Sequence, residues 1–212
     1  MKSAFSGIWG GYLPFTVDVS RQLKYGQENC LLVKLNNQDN PAVPPGKPLK
    51  DLDFNFYSGL YRWVELRVQD KVYITDPVQT GRVAGGGILV HYENVNSKSA
   101  MLRVQTEVQN DAAQTQKAQV RAILLDAKGA EVGRVESEAA GIAAGAFGRI
   151  EQQLTVTRPQ LWSPEQPYLY ELVVEVLHPF RHRRLLSERP EAAPARHQPS
   201  PGISIPRLCL IG

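Results

Sequence analysis

The chain has 212 residues, 42% of them hydrophobic and 21% charged, with a formal net charge of +3. This is the composition of an ordinary folded protein with room for one large domain or two smaller ones, and no apolar run approaches the roughly 20 residues of a membrane-spanning helix. Six arginines against Glu188 and Glu191 put +4 on residues 178–212 and leave −1 on residues 1–177, so the body has no basic surface suited to nucleic acid.

Gly7, Gly10 and Gly11 interrupt any apolar stretch behind Lys2, and no leader peptide is expected there. From that point strand patterns dominate. Phe15, Val17 and Val19 alternate with polar neighbours, and residues 30–35 are apolar on both faces apart from Lys34, the pattern of an interior strand. Residues 36–48 contain Asn-Asn-Gln-Asp-Asn-Pro and then Pro44-Pro45-Gly46, where missing backbone donors predict a long loop. A domain boundary is expected near Thr75-Asp76-Pro77, where a strand ending at Tyr73-Ile74 meets a proline. Gly85-Gly86-Gly87 precedes a strand rather than a helix and lacks a following Gly-Lys-Ser/Thr, so it predicts a strand-opening turn or bulge, not a phosphate loop.

The second half of the chain is more regular. Leu102, Val104, Thr106 and Val108 alternate with Arg103, Gln105, Glu107 and Gln109, which predicts a half-buried strand with the second set facing water. The same period recurs at Ala118-Val120-Ala122-Leu124, Ile150-Gln152-Leu154-Val156 and Tyr170-Leu172-Val174-Val176. Between the middle two, Asp126-Ala127-Lys128-Gly129 predicts a hairpin turn with Gly129 at positive φ. Short strands at this spacing indicate an antiparallel sandwich. From His178 onward six of the 15 prolines break all periodicity, and the tail is expected to be disordered.

Candidate chemistry is sparse. Cys30 and Cys209 form no metal-binding spacing, and no metal or cofactor is expected. Asp51 and Asp53 border a loop, where capping explains them better than an acid/base pair. His91, the one histidine outside the tail, lies on a predicted strand with no orienting partner in sight. The serines lack a Gly-x-Ser-x-Gly setting.

Two motif blocks carry a family likeness. The first runs Gly10-Gly11-Tyr12-Leu13-Pro14-Phe15-Thr16-Val17-Asp18-Val19, then Leu32-Val33-Lys34-Leu35-Asn36-Asn37, the loop at 44–48, and Asp53-Phe54-Asn55-Phe56-Tyr57-Ser58-Gly59-Leu60-Tyr61-Arg62. It resembles the second half of the sugar-binding jelly-roll domain of glycoside hydrolase family 2, the β-galactosidase type. The second block, Pro159-Gln160-Leu161-Trp162-Ser163-Pro164-Glu165 followed by Pro167-Tyr168-Leu169-Tyr170, resembles the end of that family's immunoglobulin-like domain.

The resemblance implies an all-β fold. Residues 1–75 would be the C-terminal half of a galactose-binding-like jelly roll, 76–177 an immunoglobulin-like β-sandwich, and 178–212 a disordered tail, for which a truncated or frame-shifted reading frame is the expected origin. It also implies that the catalytic glutamates belong to a barrel, with the acid/base glutamate in an Asn-Glu pair. Glu28-Asn29 and Glu93-Asn94 run in the opposite order, so no catalytic residue is carried over. Where the family has an aspartate after Tyr-Arg, this chain has Trp63. Arg62 and Trp63 are the candidate sugar contacts, Trp63 through ring stacking. The expected function is the non-catalytic scaffold or sugar-binding portion of a β-galactosidase-like hydrolase, inactive alone. The implied partner is a β-galactoside bound by the whole enzyme, with no nucleic acid and no membrane; compartment and oligomeric state are left open. The alternative is a stand-alone carbohydrate-binding or adhesion sandwich.

Overall fold

The computed structural model describes residues 10, 12–44, 46–52, 59–60, 64–177, 203–204 and 207–208. The chain divides into two compact units, Met1–Leu66 and Arg67–Gly212.

In the first unit the described residues form no strand, and the one regular element is a 3₁₀ turn at Leu49–Asp51. The strands predicted at Phe15-Val17-Val19 and 30–35 are therefore not formed there. An extended segment is stable only when another takes up its N–H and C=O groups, and no described segment pairs with these. Most of their apolar side chains face solvent, Leu32 at 90% exposure and Leu31 at 71%. Local turns order the backbone instead. Asp18 Oδ1 accepts from the Ser20 amide at 2.8 Å, and Asn29 Oδ1 accepts from Lys24 N at 2.9 Å while its amide donates to Lys24 O and Gln27 O. The predicted loop is irregular over its described residues 36–44 and 46–48, with Asn40 Oδ1 accepting from Ala42 N at 2.9 Å.

The second unit is an all-β sandwich of antiparallel strands. One sheet is centred on β3 (Ser99–Asn110), which pairs along one edge with β1 (Val72–Ile74) and β2 (Ile88–Glu93) and along the other with β7 (Phe147–Thr157). The other sheet is centred on β4 (Gln116–Leu125), flanked by β5 (Glu131–Glu136) and β6 (Ala140–Ile142) on one side and by β8 (Tyr170–Leu177) on the other. Because Val72–Ile74 pairs with β3, that strand belongs to the sandwich, and the division falls earlier than Thr75-Asp76-Pro77.

Apart from Glu107, the alternation read from the sequence is the alternation of burial. Leu102, Val104 and Val108 of β3 face Ala118, Val120, Ala122 and Leu124 of β4, joined by Ile150, Leu154 and Val156 of β7 and by Tyr170, Leu172 and Val174 of β8 in one apolar cluster, with Thr106 buried beside them. Fully burying a leucine such as Leu102, Leu124 or Leu172 contributes about 1.5–3 kcal/mol. The hairpin turn between β4 and β5 forms where expected: Asp126 Oδ1 accepts from Lys128 N and Ala130 N, both at 2.8 Å, and Gly129 has φ +80°.

The tail supplies two short strands, β9 (Ile203–Ser204) and β10 (Arg207–Leu208), both antiparallel to β8. These four residues are extended and paired, where the proline-rich composition predicted no regular structure.

Candidate functional site

The candidate sugar contacts Arg62 and Trp63 lie outside the described residues, as does Asp53. Asp51 ends the 3₁₀ turn and is exposed. His91 lies exposed on β2 opposite Arg103 of β3, and Arg103 pairs with Glu93 at 3.0 Å. Beside it a shallow depression of about 290 Å³ is lined by Arg103, Glu151, Gln152 and Gln153. Arg103 and Gln153 are cross-strand partners, as are Gln105 and Glu151, so the β3–β7 ladder presents a row of polar side chains on the outer face. Gln152 points the other way, its amide donating to Val120 O at 3.0 Å and Val135 O at 3.3 Å and so tying the two sheets together.

The most organised polar group is one the sequence did not single out. Glu107 was expected on the solvent face with Arg103 and Gln105, yet it is only 2% exposed. The connection from β1 to β2 folds over it. Thr75 N donates to Glu107 O at 3.0 Å, and Glu107 N donates to Gly87 O at 2.9 Å. Thr75 Oγ1 donates to Glu107 Oε1 at 3.1 Å and accepts from Gly87 N at 2.8 Å. Arg82 also donates to Oε1, and Arg149 Nε donates to Oε2 at 3.3 Å. The Arg82 guanidinium lies 4.1 Å from the centre of the Phe147 ring.

Glycine makes this fold-back possible. Gly86 and Gly87 have φ +83° and +68°, and a Cβ on Gly86 would lie 2.8 Å from Thr80 Oγ1 and 3.0 Å from Pro77 Cα. The three-glycine run is thus the strand-opening turn the sequence predicted, and it is also the one local signal pointing toward the buried carboxylate. At the start of the connection Asp76 Oδ1 accepts from Val78 N at 2.8 Å and Gln79 N at 3.1 Å, while Asp76 Oδ2 pairs with Arg67 at 2.6 Å.

Chemically, Glu107 is an anchor. Its carboxylate accepts from two guanidinium groups and a hydroxyl, and these charge-assisted contacts tie the 75–87 connection and β7 to β3. Two further carboxylates, Glu136 and Glu175, share Arg121 at 2.6 and 3.2 Å. The hydrogen bond that Arg121 Nε donates to Glu136 is the largest cause holding the guanidinium more firmly protonated than usual. Among the described residues no group of three or more His, Cys, Asp or Glu side chains could hold a metal ion.

The profile of Glycosyl hydrolases family 2 matches residues 87–179, from the end of the glycine turn to just past β8. A β-glucuronidase of Formosa agariphila is 31% identical over 166 residues, covering 77% of this chain and 17% of that protein. A β-galactosidase of Bacteroides ovatus is 34% identical over 170 residues, covering 79% and 17%. Among solved structures, a Bacteroides fragilis protein assigned as a β-galactosidase superposes with a TM-score of 0.61 at 21% identity, over 79% of this chain and 24% of that one, a likeness of fold. The chain therefore spans about a sixth of the length of these two curated relatives. Its strand pattern, its paired sheets and its sequence matches agree on one assignment: the chain belongs to glycoside hydrolase family 2.

Proposed function

We propose that this chain is a non-catalytic β-sandwich portion of a glycoside hydrolase whose whole protein cleaves β-galactosyl or β-glucuronosyl bonds. The observation that carries this reading is the coverage: most of this chain matches only 17% of a β-glucuronidase and of a β-galactosidase. The state of the carboxylates supports it. Glu107, Glu136 and Glu175 are each engaged by arginine, and Glu93 and Glu131 pair with Arg103 and Arg134. In this reading the sandwich is a rigid support, and Arg62 and Trp63 remain the proposed sugar contacts of the first unit.

The test is direct. The purified chain is incubated with 4-nitrophenyl β-galactoside and 4-nitrophenyl β-glucuronide, and release of nitrophenolate no faster than a buffer blank is expected. Turnover that follows enzyme concentration would overturn the proposal. The competing reading, a stand-alone carbohydrate-binding or adhesion module, takes its support from the polar row of Arg103, Glu151 and Gln153. It requires saturable binding of a β-galactan by the isolated chain, lost on Arg103→Ala.

A further inference from the structure

Arg82 and Arg149 share the one carboxylate of Glu107, so this cluster carries one positive charge in excess. Arg149 is the spare cation. It gives Glu107 only its Nε, at 3.3 Å, and its two Nη groups have no partner among the described residues. Phe147 stands two residues before it on the same outer face of β7, with 43% of its surface exposed. The Arg82 and Arg149 guanidinium carbons lie 4.1 and 5.8 Å from the ring centre. Strand pairing sets Gln109 opposite Phe147 and Tyr73 opposite Gln109, so the ring ends a row that crosses β1, β3 and β7.

Two other carboxylates stand near this row. Asp111 accepts from the Tyr73 hydroxyl at 2.9 Å and from the Gln109 amide at 3.0 Å. Glu151, next after Arg149 on the outer face, lies opposite Gln105 and lines the depression beside Arg103. Neither is ion-paired with Arg149. Because Phe147 and Arg149 belong to a long paired strand and Glu107 is buried beneath them, ring and guanidinium are held side by side before any ligand arrives. An exposed aromatic ring makes apolar contact with the C–H face of a pyranose, and open Nη groups form a fork for a carboxylate. A sugar ring that itself bears a carboxylate satisfies both.

We propose that the Phe147–Arg149 patch binds a uronic acid residue of an acidic glycan, its carboxylate on the Arg149 Nη groups, its ring against Phe147, and Glu107 holding the guanidinium from beneath. The inference rests on the reading of the whole protein as one that acts on carbohydrate, and it names the charge class of sugar that this sandwich meets.

NMR titration of the full chain at constant ionic strength tests this, read at the Phe147 ring and the Arg149 Nε–H. The probes are a (1→4)-linked oligoglucuronate, the neutral oligoglucoside of the same linkage and length, and sodium acetate. The oligoglucuronate should shift both signals saturably, and acetate should move Arg149 but not the ring. The oligoglucoside should bind about tenfold more weakly, the loss of one charge-assisted contact. Arg149→Gln should weaken oligoglucuronate binding about tenfold, and Arg149→Lys should recover only part of that, since an ammonium makes no fork. Glu151→Gln should tighten binding about twofold by removing a like charge beside the ligand. Circular dichroism confirms that each variant is folded. No saturable shift with the oligoglucuronate, equal binding of the two oligomers, or an affinity unchanged by Arg149→Gln would overturn the proposal. Acetate binding as strongly as the oligoglucuronate would overturn it too, by reducing the patch to a simple anion site. The two readings fail separately: nitrophenolate release refutes the non-catalytic assignment without touching this titration, and a flat titration leaves that assignment standing.

Discussion

Replacing Arg82 with methionine tests the reading of Glu107 as the anchor of the 75–87 connection. The Arg82 side chain is 36% exposed and bonds a carboxylate whose own side chain is 2% exposed. A charge-assisted hydrogen bond contributes about 1.5–3 kcal/mol, and exposure of the guanidinium reduces this to about 1–2. Its position 4.1 Å from the Phe147 ring centre adds about 0.5–1 kcal/mol. Arg82→Met should therefore cost about 1.5–3 kcal/mol. Arg149 is the internal comparison: it is 50% exposed, contacts Oε2 at 3.3 Å and lies 5.8 Å from the same ring, so Arg149→Met should cost about 0.5 kcal/mol. Urea melts followed by far-ultraviolet circular dichroism give the two losses, and exchange of the Gly87 amide, which donates to Thr75, reports the connection itself. Combining Arg82→Met with Glu107→Gln should cost less than the sum of the single losses, since each removes the same contact. An Arg82→Met loss no larger than that of Arg149→Met would refute the assignment.

Two further predictions concern backbone and pH. Gly86→Ala should destabilise by more than Gly129→Ala: both sites have positive φ, but a Cβ on Gly86 meets Pro77 Cα at 3.0 Å whereas one on Gly129 meets nothing within 4 Å, and thermal melts of the two variants rank them. Tyr170, chiefly through burial, holds its phenol above the ordinary value of about 10, against the opposing effect of the hydrogen bond from Gln160 N at 2.8 Å. The unfolded phenol ionises first, so the contribution of Tyr170 is fully present below about pH 10 and is lost as pH rises through the higher folded value. The urea midpoint should fall more steeply between about pH 9.5 and 11 in the unaltered chain than in Tyr170→Phe; parallel pH profiles would contradict this.

Much of the sandwich is legible because its strands are half buried. Leu102, Val104 and Val108 alternate with Arg103, Gln105 and Gln109, and a period of two admits one assignment of faces. The Asp126 to Gly129 turn is legible for a different reason, since its side-chain acceptor and its positive φ are both local. Glu107 broke the pattern because its burial comes from a connection more than 20 residues away in sequence, at Arg82 and Thr75. In the first unit the alternation of Phe15, Val17 and Val19 is as clear as any in the sandwich, yet no described strand pairs with it. Alternation states which face a strand would bury; it does not supply the strand beside it.

The sequence by itself determined the fold class, the inward faces of four of the sandwich strands, the turns at residues 85–87 and 126–129, and the family through two ordered motif blocks. These follow from side-chain period, glycine and proline stereochemistry, and residue identity, all of which are local. The tertiary structure alone decided that Val72–Ile74 joins the sandwich, that Glu107 is buried beneath a folded-back connection, and that Ile203–Ser204 and Arg207–Leu208 pair with β8. Each of these is a pairing between segments distant in the chain, and such a pairing depends on which backbone groups remain open once the local elements have formed.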